Sequence, residues 1–294
     1  MKRSVRNLII VALIVLAAIL AFVIVRLSKA PGKKDVGEGT AYLTEQEEKD
    51  ASAVEDAIKE EEKKKQQEAL LAAQSEEQKQ KRLAELTDGT VDVWSLFGDT
   101  VIMGDSRAVG FYVYKFLPQA QVLAEGGATI RNIEPHFEEL HAINPSRIFL
   151  CYGLNDVSIG YWKEPAEYVA EYTEILQKMH QEFPDTEIYV NSIIPAQDKA
   201  FEVMDVWRRI PEFSEAVHQA LDGTETGWID VNGIVADNQN LYDPVDGIHM
   251  RKEFYPLWAA QMIVQAESQE AEKAAEASEA GSSETEAAGG ESGK

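Results

Sequence analysis

Four short polar segments of the 294-residue chain contain the residue types that perform nucleophilic and acid–base chemistry. The segments are Gly104-Asp105-Ser106, Gly126-Gly127-Ala128-Thr129, Gly153-Leu154-Asn155-Asp156 and Asp243-Pro244-Val245-Asp246-Gly247-Ile248-His249. A serine hydroxyl is a poor nucleophile at neutral pH until a base such as histidine accepts its proton, and an aspartate can orient that base. Each segment alone is also ordinary turn or helix-cap sequence, so a shared site requires that the fold bring them together.

Apolar runs typical of β-strands alternate with helix-like stretches around these segments. The runs cover residues 100–104, 120–125, 147–153, 187–195 and 227–231. Strand–helix alternation at this spacing predicts a parallel sheet with helices on both faces. Ligands bind such a sheet at the carboxyl ends of its strands, which is where the polar segments fall. The sequence therefore predicts an α/β fold over residues 91–265: a single three-layer α/β/α domain with a mainly parallel sheet.

The four segments, taken together and in this order, resemble the four sequence blocks of the GDSL-like, or SGNH, hydrolases. The Ser block is Gly104-Asp105-Ser106-Arg107. Arg107 replaces the usual leucine, a departure that is expected to leave the chemistry unchanged and to alter the mouth of the site. The Gly block fits best at Gly127, with Gly126 as the alternative. The resemblance covers essentially all of 91–265 and implies the flavodoxin-like fold of SGNH hydrolases.

The remaining two blocks match in full and complete the resemblance. They are Gly153-Leu154-Asn155-Asp156 and Asp246-Gly247-Ile248-His249. The resemblance implies that Ser106 is the nucleophile, that His249 is its base and that Asp246 orients the imidazole. It also implies an oxyanion hole made by the backbone N–H groups of Ser106 and Gly127 and the amide of Asn155. Asp105 and Asp156 are interpreted as structural, and no cofactor or metal is expected.

Two other hydrolytic sites use similar residue types. The order Ser…Asp…His also occurs in α/β-hydrolases, but their Gly-x-Ser-x-Gly motif is absent because its fifth position is Ala108. A metal site could draw on Asp105, Asn155, Asp246 and His249. A dinuclear hydrolase would require several histidines, and these segments contain one. A serine mechanism is therefore the favoured interpretation.

The N-terminal segment 1–26 predicts a transmembrane anchor. Residues 8–25 are all apolar and would form a helix of roughly 27 Å, which is close to the hydrocarbon thickness of a bilayer. A cleaved signal peptide is the alternative, although its apolar core is typically shorter. Basic residues lie on both sides of the run, yet a basic N-terminus favours an extracytoplasmic location for the long chain that follows. We therefore expect a single-pass protein of the cell membrane.

The segments on either side of the predicted domain are strongly charged. Residues 27–90 predict a short linker followed by a helical stalk rich in Glu, Lys, Gln and Ala, with a coiled coil and disorder as alternatives. Residues 266–294 are acidic and poor in large apolar residues, which predicts a disordered tail. The net charge of −23 and the lack of a basic cluster disfavour nucleic acid as a partner.

These features together predict a membrane-held acylesterase, with acyl transfer as a possible variant of the same chemistry. An extracytoplasmic location suggests O-acyl or O-acetyl groups of cell-surface glycan as the substrate. Two alternatives stay open at this point. One is a lipase or lysophospholipase acting on lipid esters, and the other is a non-catalytic surface protein with a hydrolase-like domain.

Overall fold

The computed structural model describes residues 37–289, and within them five strands form one fully parallel sheet. The strands are β1 (Thr100–Gly104), β2 (Val122–Ala124), β3 (Arg147–Cys151), β4 (Glu187–Asn191) and β5 (Gly227–Ile229). Their order across the sheet is β2-β1-β3-β4-β5. The chain leaves β1 to one side for β2 and returns to the other side for β3. This reversal of strand order opens a crevice at the carboxyl ends of β1 and β3.

Helices connect the strands as the sequence predicts. The α-helices are α1 (Gly37–Thr87), α2 (Gly110–Val113), α3 (Phe137–Ile143), α4 (Leu154–Ile159), α5 (Pro165–Glu182), α6 (Asp198–Phe201), α7 (Ile210–Leu221), α8 (Asn232–Asp237) and α9 (Phe254–Gly289). Short 3-10 helices lie at Val93–Phe97, Gln119–Gln121, Ile130–Asn132, Glu134–His136, Asp205–Arg209 and Gln239–Leu241.

Both faces of the sheet are buried, because successive side chains of each strand point to opposite faces. Val101, Ile148 and Ile188 pack in one apolar cluster with residues of α5 and α7. Ile102 and Phe149 pack in a second cluster with residues of α2 and α9. The predicted parallel α/β fold is therefore confirmed. The strand predicted over 187–195 is too long, since β4 ends at Asn191.

The charged helix α1 begins at Gly37, inside the region predicted to be a linker. The chain divides into two compact units after Leu71, so the last part of α1 belongs to the unit that contains the sheet. Leu86 is buried there, and Arg82 donates two hydrogen bonds to the carboxylate of Glu267, at 2.9 and 3.0 Å. The folded domain thus starts before residue 91.

The structure continues α9 to Gly289, so the helix includes much of the segment from residue 266 for which the sequence predicts a disordered tail. Alanine and glutamate are strong helix formers, and side chains beyond residue 266 bind the domain. Glu270 accepts from Arg147 at 2.6 Å, and Lys273 donates to Glu187 at 2.6 Å. Local composition gives no sign of these distant partners.

Two glutamines of α9, Gln265 and Gln269, bind the backbone of the edge strand β5 and of Asp230, which directly follows it. Gln269 accepts from the N–H of Trp228 at 3.1 Å and donates to its carbonyl oxygen at 2.8 Å. Gln265 makes the same pair of bonds with Asp230, at 2.8 and 2.7 Å. The helix therefore satisfies backbone groups on the side of β5 that has no neighbouring strand.

The predicted anchor at residues 8–25 lies outside the described residues, as do the start of the predicted linker and residues 290–294. Within residues 37–289, no helix combines the length and the apolar composition needed to cross a bilayer. The side chains described in the middle of α1 are exposed, and Lys65 pairs with Glu61 at 2.6 Å.

Candidate active site

Ser106 follows strand β1 and therefore lies at the carboxyl edge of the sheet. β1 ends at Gly104, where a Cβ atom would lie 2.5 Å from the carbonyl oxygen of Cys151, so only glycine fits this close approach to β3. The buried carboxylate of Asp105 then accepts from the backbone N–H groups of Arg107 at 2.9 Å and Leu154 at 3.3 Å. These hydrogen bonds agree with a structural role for Asp105 and hold a tight turn in which Ser106 is partly exposed.

The loop before α9 brings His249 and Asp246 to the same place. His249 Nε2 lies 2.9 Å from Ser106 Oγ, and His249 Nδ1 lies 2.7 Å from Asp246 Oδ2. The other carboxylate oxygen accepts from the backbone N–H groups of Ile248 at 2.8 Å and His249 at 3.0 Å. One oxygen of Asp246 therefore shapes the loop, while the other orients the ring.

These contacts define the direction in which a proton can move. An ionised carboxylate only accepts hydrogen bonds, so the hydrogen of the neutral imidazole is on Nδ1 and Nε2 can accept the proton of Ser106. Burial of Asp246 acts to raise its pKa, but hydrogen bonds from His249 and Ile248 outweigh burial and lower the pKa below its usual range. Asp246 is therefore ionised at neutral pH.

The loops after β2 and β3 carry the predicted oxyanion donors. Gly127 has a φ of +83°, a left-handed conformation that favours glycine, whereas Gly126 is not among the residues with positive φ. The side-chain amide of Asn155 donates to the carbonyl oxygen of Ala128 at 2.9 Å. The structure thus joins the Gly127 loop directly to Asn155 and places both loops beside the end of β1.

Arg107 does not lie at the mouth of the site, which corrects the expectation drawn from the sequence. The residue is only 3% exposed. Its Nε donates to the carbonyl oxygen of Ile248 at 3.0 Å. The guanidinium donates hydrogen bonds to backbone carbonyl groups. A leucine at this position would leave those carbonyl groups without a donor.

A segment that sequence reasoning did not associate with the site supports two of its loops. The N–H of Gln197 donates to Gly247 at 2.9 Å, and Lys199 Nζ donates to Pro244 at 2.6 Å. Trp207 Nε1 donates to the carbonyl oxygen of Leu154 at 3.1 Å. All three acceptors are backbone carbonyls, so no residue type or spacing in the sequence signals these contacts.

Asp156 connects the segment after β3, in which it lies, to the segment after β2. Its Oδ1 accepts from the N–H of Ile130 at 2.9 Å, which agrees with the structural role expected for it. Its Oδ2 is buried, and no donor in the described part of the chain bonds to it. Burial raises the pKa of Asp156 to about 7.

We expect Asp156 to make the folded state less stable as the pH rises from about 4 to about 7. In that range the folded chain keeps a proton that the unfolded chain has released, so the free energy of unfolding falls by up to about 1.4 kcal/mol per pH unit. Asp156→Asn keeps an acceptor for Ile130 and should flatten this slope. Urea unfolding of both proteins at a series of pH values measures it. The exposed Asp222→Asn is the control for the loss of a charge, and equal slopes in all three proteins would contradict the assignment.

Comparison with known proteins extends these observations. The model of the GDSL-like lipase/acylhydrolase family matches residues 86–256. Solved structures with a similar fold include a lipase/acylhydrolase from Enterococcus faecalis (16% identity, covering 58% of this chain and 96% of that chain, TM-score 0.47). Another is the C-terminal catalytic domain of Streptococcus pneumoniae peptidoglycan O-acetyltransferase A (16% identity, 58% and 94%, TM-score 0.44). Comparison with curated proteins gave no match. The chain therefore belongs to the GDSL-like lipase/acylhydrolase family and is a serine hydrolase that acts on ester bonds.

Proposed function

We propose that Ser106, His249 and Asp246 are the catalytic triad of an esterase that removes O-acyl groups, chiefly O-acetyl groups, from cell-surface glycan outside the membrane. The observation that carries the triad is the continuous line of contacts from Ser106 Oγ through the His249 ring to Asp246, at 2.9 and 2.7 Å.

In the first half of the reaction, His249 Nε2 takes the proton of Ser106 while Oγ bonds to the carbonyl carbon of the ester. Asp246 stabilises the imidazolium that forms. The carbonyl oxygen becomes an oxyanion, and the donors are the backbone N–H groups of Ser106 and Gly127 and the amide of Asn155. His249 then gives its proton to the alcohol oxygen, the ester bond breaks, and the acyl group remains on Ser106.

In the second half, water enters where the alcohol left. His249 accepts a proton from the water, whose oxygen bonds to the acyl carbon, and the same donors hold the second oxyanion. Return of the proton to Ser106 Oγ releases the carboxylic acid and restores the triad. A sugar hydroxyl in place of water would make the reaction an acyl transfer.

One observation and one prediction from the sequence support a glycan as the alcohol part of the substrate. The side chain of His249 is 45% exposed, so a bulky alcohol can approach the base from solvent. The predicted anchor at residues 8–25 and the charged helix α1 would hold the domain at the cell surface. Peptidoglycan and other O-acetylated polymers are found in that location.

Two exposed valine side chains favour lipid esters as a second candidate substrate. Val245, in the same loop as His249, is 76% exposed, and Val203, which follows α6, is 80% exposed. Lys199 of α6 donates to Pro244 of the His249 loop, and Val203 follows that helix. The exposed side chain of Val245 offers an apolar surface for an acyl chain.

A comparison of ester substrates with the full-length protein tests the proposal. We expect kcat/KM for p-nitrophenyl acetate to exceed that for p-nitrophenyl octanoate about tenfold or more, and acetate to be released from an O-acetylated glycan. Asn155→Ala should lower kcat for every substrate by about 10²- to 10³-fold, because one oxyanion donor is lost. A preference for octanoate, with no acetate released from glycan, would favour the lipid alternative and overturn the glycan proposal.

A further inference from the structure

Arg107 is a buried cation that contacts three backbone carbonyl groups. Besides the bond to Ile248, its guanidinium donates to Ile194 and, at 3.4 Å, to Pro195, both in the loop after β4. These acceptors lie 141, 87 and 88 residues away in the chain. A buried charge is costly unless its donors are satisfied, and here carbonyl groups from two separate loops satisfy them.

The main chain of Arg107 is held as firmly as its side chain. Its N–H donates to Asp105 at 2.9 Å, and its carbonyl oxygen accepts from the hydroxyl of Tyr255 at 2.8 Å. The residue therefore has little freedom to move relative to the Ser106 turn. Its side chain extends that rigid turn into the neighbouring loops.

The bond to Ile248 is the one that bears on catalysis. The carbonyl group of Ile248 belongs to the peptide bond that precedes His249, and Arg107 directly follows Ser106. The guanidinium thus connects the residue after the nucleophile to the residue before the base. This connection runs parallel to the direct contact between Ser106 Oγ and His249 Nε2.

The two connections differ once Ser106 carries an acyl group. Ser106 Oγ is then an ester oxygen that carries no hydrogen, so it no longer donates a hydrogen bond to His249. The ring keeps its contact with Asp246, and the loop keeps the bond from Arg107, which acylation does not alter. Deacylation needs His249 in place at this very stage, because the histidine must take a proton from water.

We propose that Arg107 is a positioning residue that holds His249 in place in the acyl-enzyme and so supports deacylation more than acylation. The proposal rests on the triad described under the proposed function. It predicts that the loss of Arg107 lowers the rate constant of deacylation more than the rate constant of acylation.

Stopped-flow measurements with p-nitrophenyl acetate on the full-length protein separate the two steps. Arg107→Leu introduces the residue that is usual at this position in the family. We expect its deacylation rate constant to fall by about 10- to 100-fold, the effect of misplacing a catalytic group by about 1 Å, while the acylation rate constant changes less than about threefold. Both kcat and KM should fall together, because KM decreases when deacylation limits turnover.

Two further variants separate positioning from general loss of structure. Arg107→Lys keeps a cation that can reach one carbonyl group and should restore part of the deacylation rate. Arg147→Leu removes a different partly buried guanidinium, which pairs with Glu270 at 2.6 Å at the amino end of β3. This control should lower the melting temperature without changing the ratio of the two rate constants. Titration with a fluorophosphonate counts the competent sites in each preparation.

Each outcome has a distinct meaning. Equal falls in both rate constants of Arg107→Leu, or an unchanged deacylation rate in folded protein, would overturn the positioning role. If Arg107→Leu does not fold, Arg107→Lys provides the test. A ratio of its deacylation and acylation rate constants equal to that of the wild type would overturn the proposal. A wild-type protein that neither turns over the ester nor reacts at Ser106 would overturn the triad itself.

Discussion

Replacement of Ser106 by alanine is expected to lower kcat for p-nitrophenyl acetate by about 10⁶-fold, the scale on which loss of a nucleophilic serine acts. Alanine has no oxygen to attack the ester, so no acyl-enzyme forms and His249 has no nucleophile to activate. The variant should also lose labelling by a fluorophosphonate probe. Ester release and labelling of the full-length protein, measured side by side, check this result.

The matched control for Ser106→Ala is Ser146→Ala. Ser146 is an exposed serine that directly precedes β3, and its hydroxyl donates to the carbonyl oxygen of Asp99 at 3.3 Å. This residue lies at the amino end of the sheet, so we expect wild-type kinetics and labelling. Equal rates for wild type and Ser106→Ala would refute a nucleophilic role for Ser106.

Asp246→Asn is expected to lower kcat by about 10⁴-fold with little change in the fold. The asparagine Oδ1 can still accept from the N–H groups of Ile248 and His249, so the loop keeps its shape. The amide that replaces Oδ2 would donate to Nδ1 and force the imidazole hydrogen onto Nε2. His249 could then no longer accept the proton of Ser106.

Asp243→Asn tests whether this effect is specific to the carboxylate that contacts the imidazole. Asp243 lies in the same loop and its Oδ1 accepts from the N–H of Val245 at 2.8 Å, a bond that asparagine can keep. The backbone N–H of Asp243 donates to the carbonyl oxygen of His249 at 2.8 Å, and the substitution does not affect it. Steady-state kinetics of both variants give the comparison. A loss of similar size in Asp243→Asn would argue against a special role for Asp246.

The features of the fold that depend on local sequence could be predicted. Buried parallel strands are short and apolar, and the helices between them have polar and apolar faces, so periodicity reveals both. The three-residue spacing of Asp246 and His249 likewise lets one carboxylate bond the backbone and the ring. Such relations span a few residues and are therefore visible in the chain itself.

The features that the sequence did not reveal depend on partners far away in the chain. Arg107 is buried and does not lie at the mouth of the site, and its acceptors are carbonyl groups that every residue carries. Beyond residue 266, α9 is bonded to Arg82 and Arg147, which lie more than a hundred residues earlier. Composition alone describes a solvated acidic tail at that point and cannot identify these partners.

The two glutamines of α9 have a consequence for how the protein behaves in a crowded solution. An open sheet ends in a strand whose outer N–H and C=O groups can recruit a strand from another chain, which leads to aggregation. Gln265 and Gln269 lie one helical turn apart, and they bond to Asp230, which directly follows the edge strand β5, and to Trp228 within it. At the β5 edge, two side chains of a helix thus occupy backbone groups that a strand from another molecule would need for pairing.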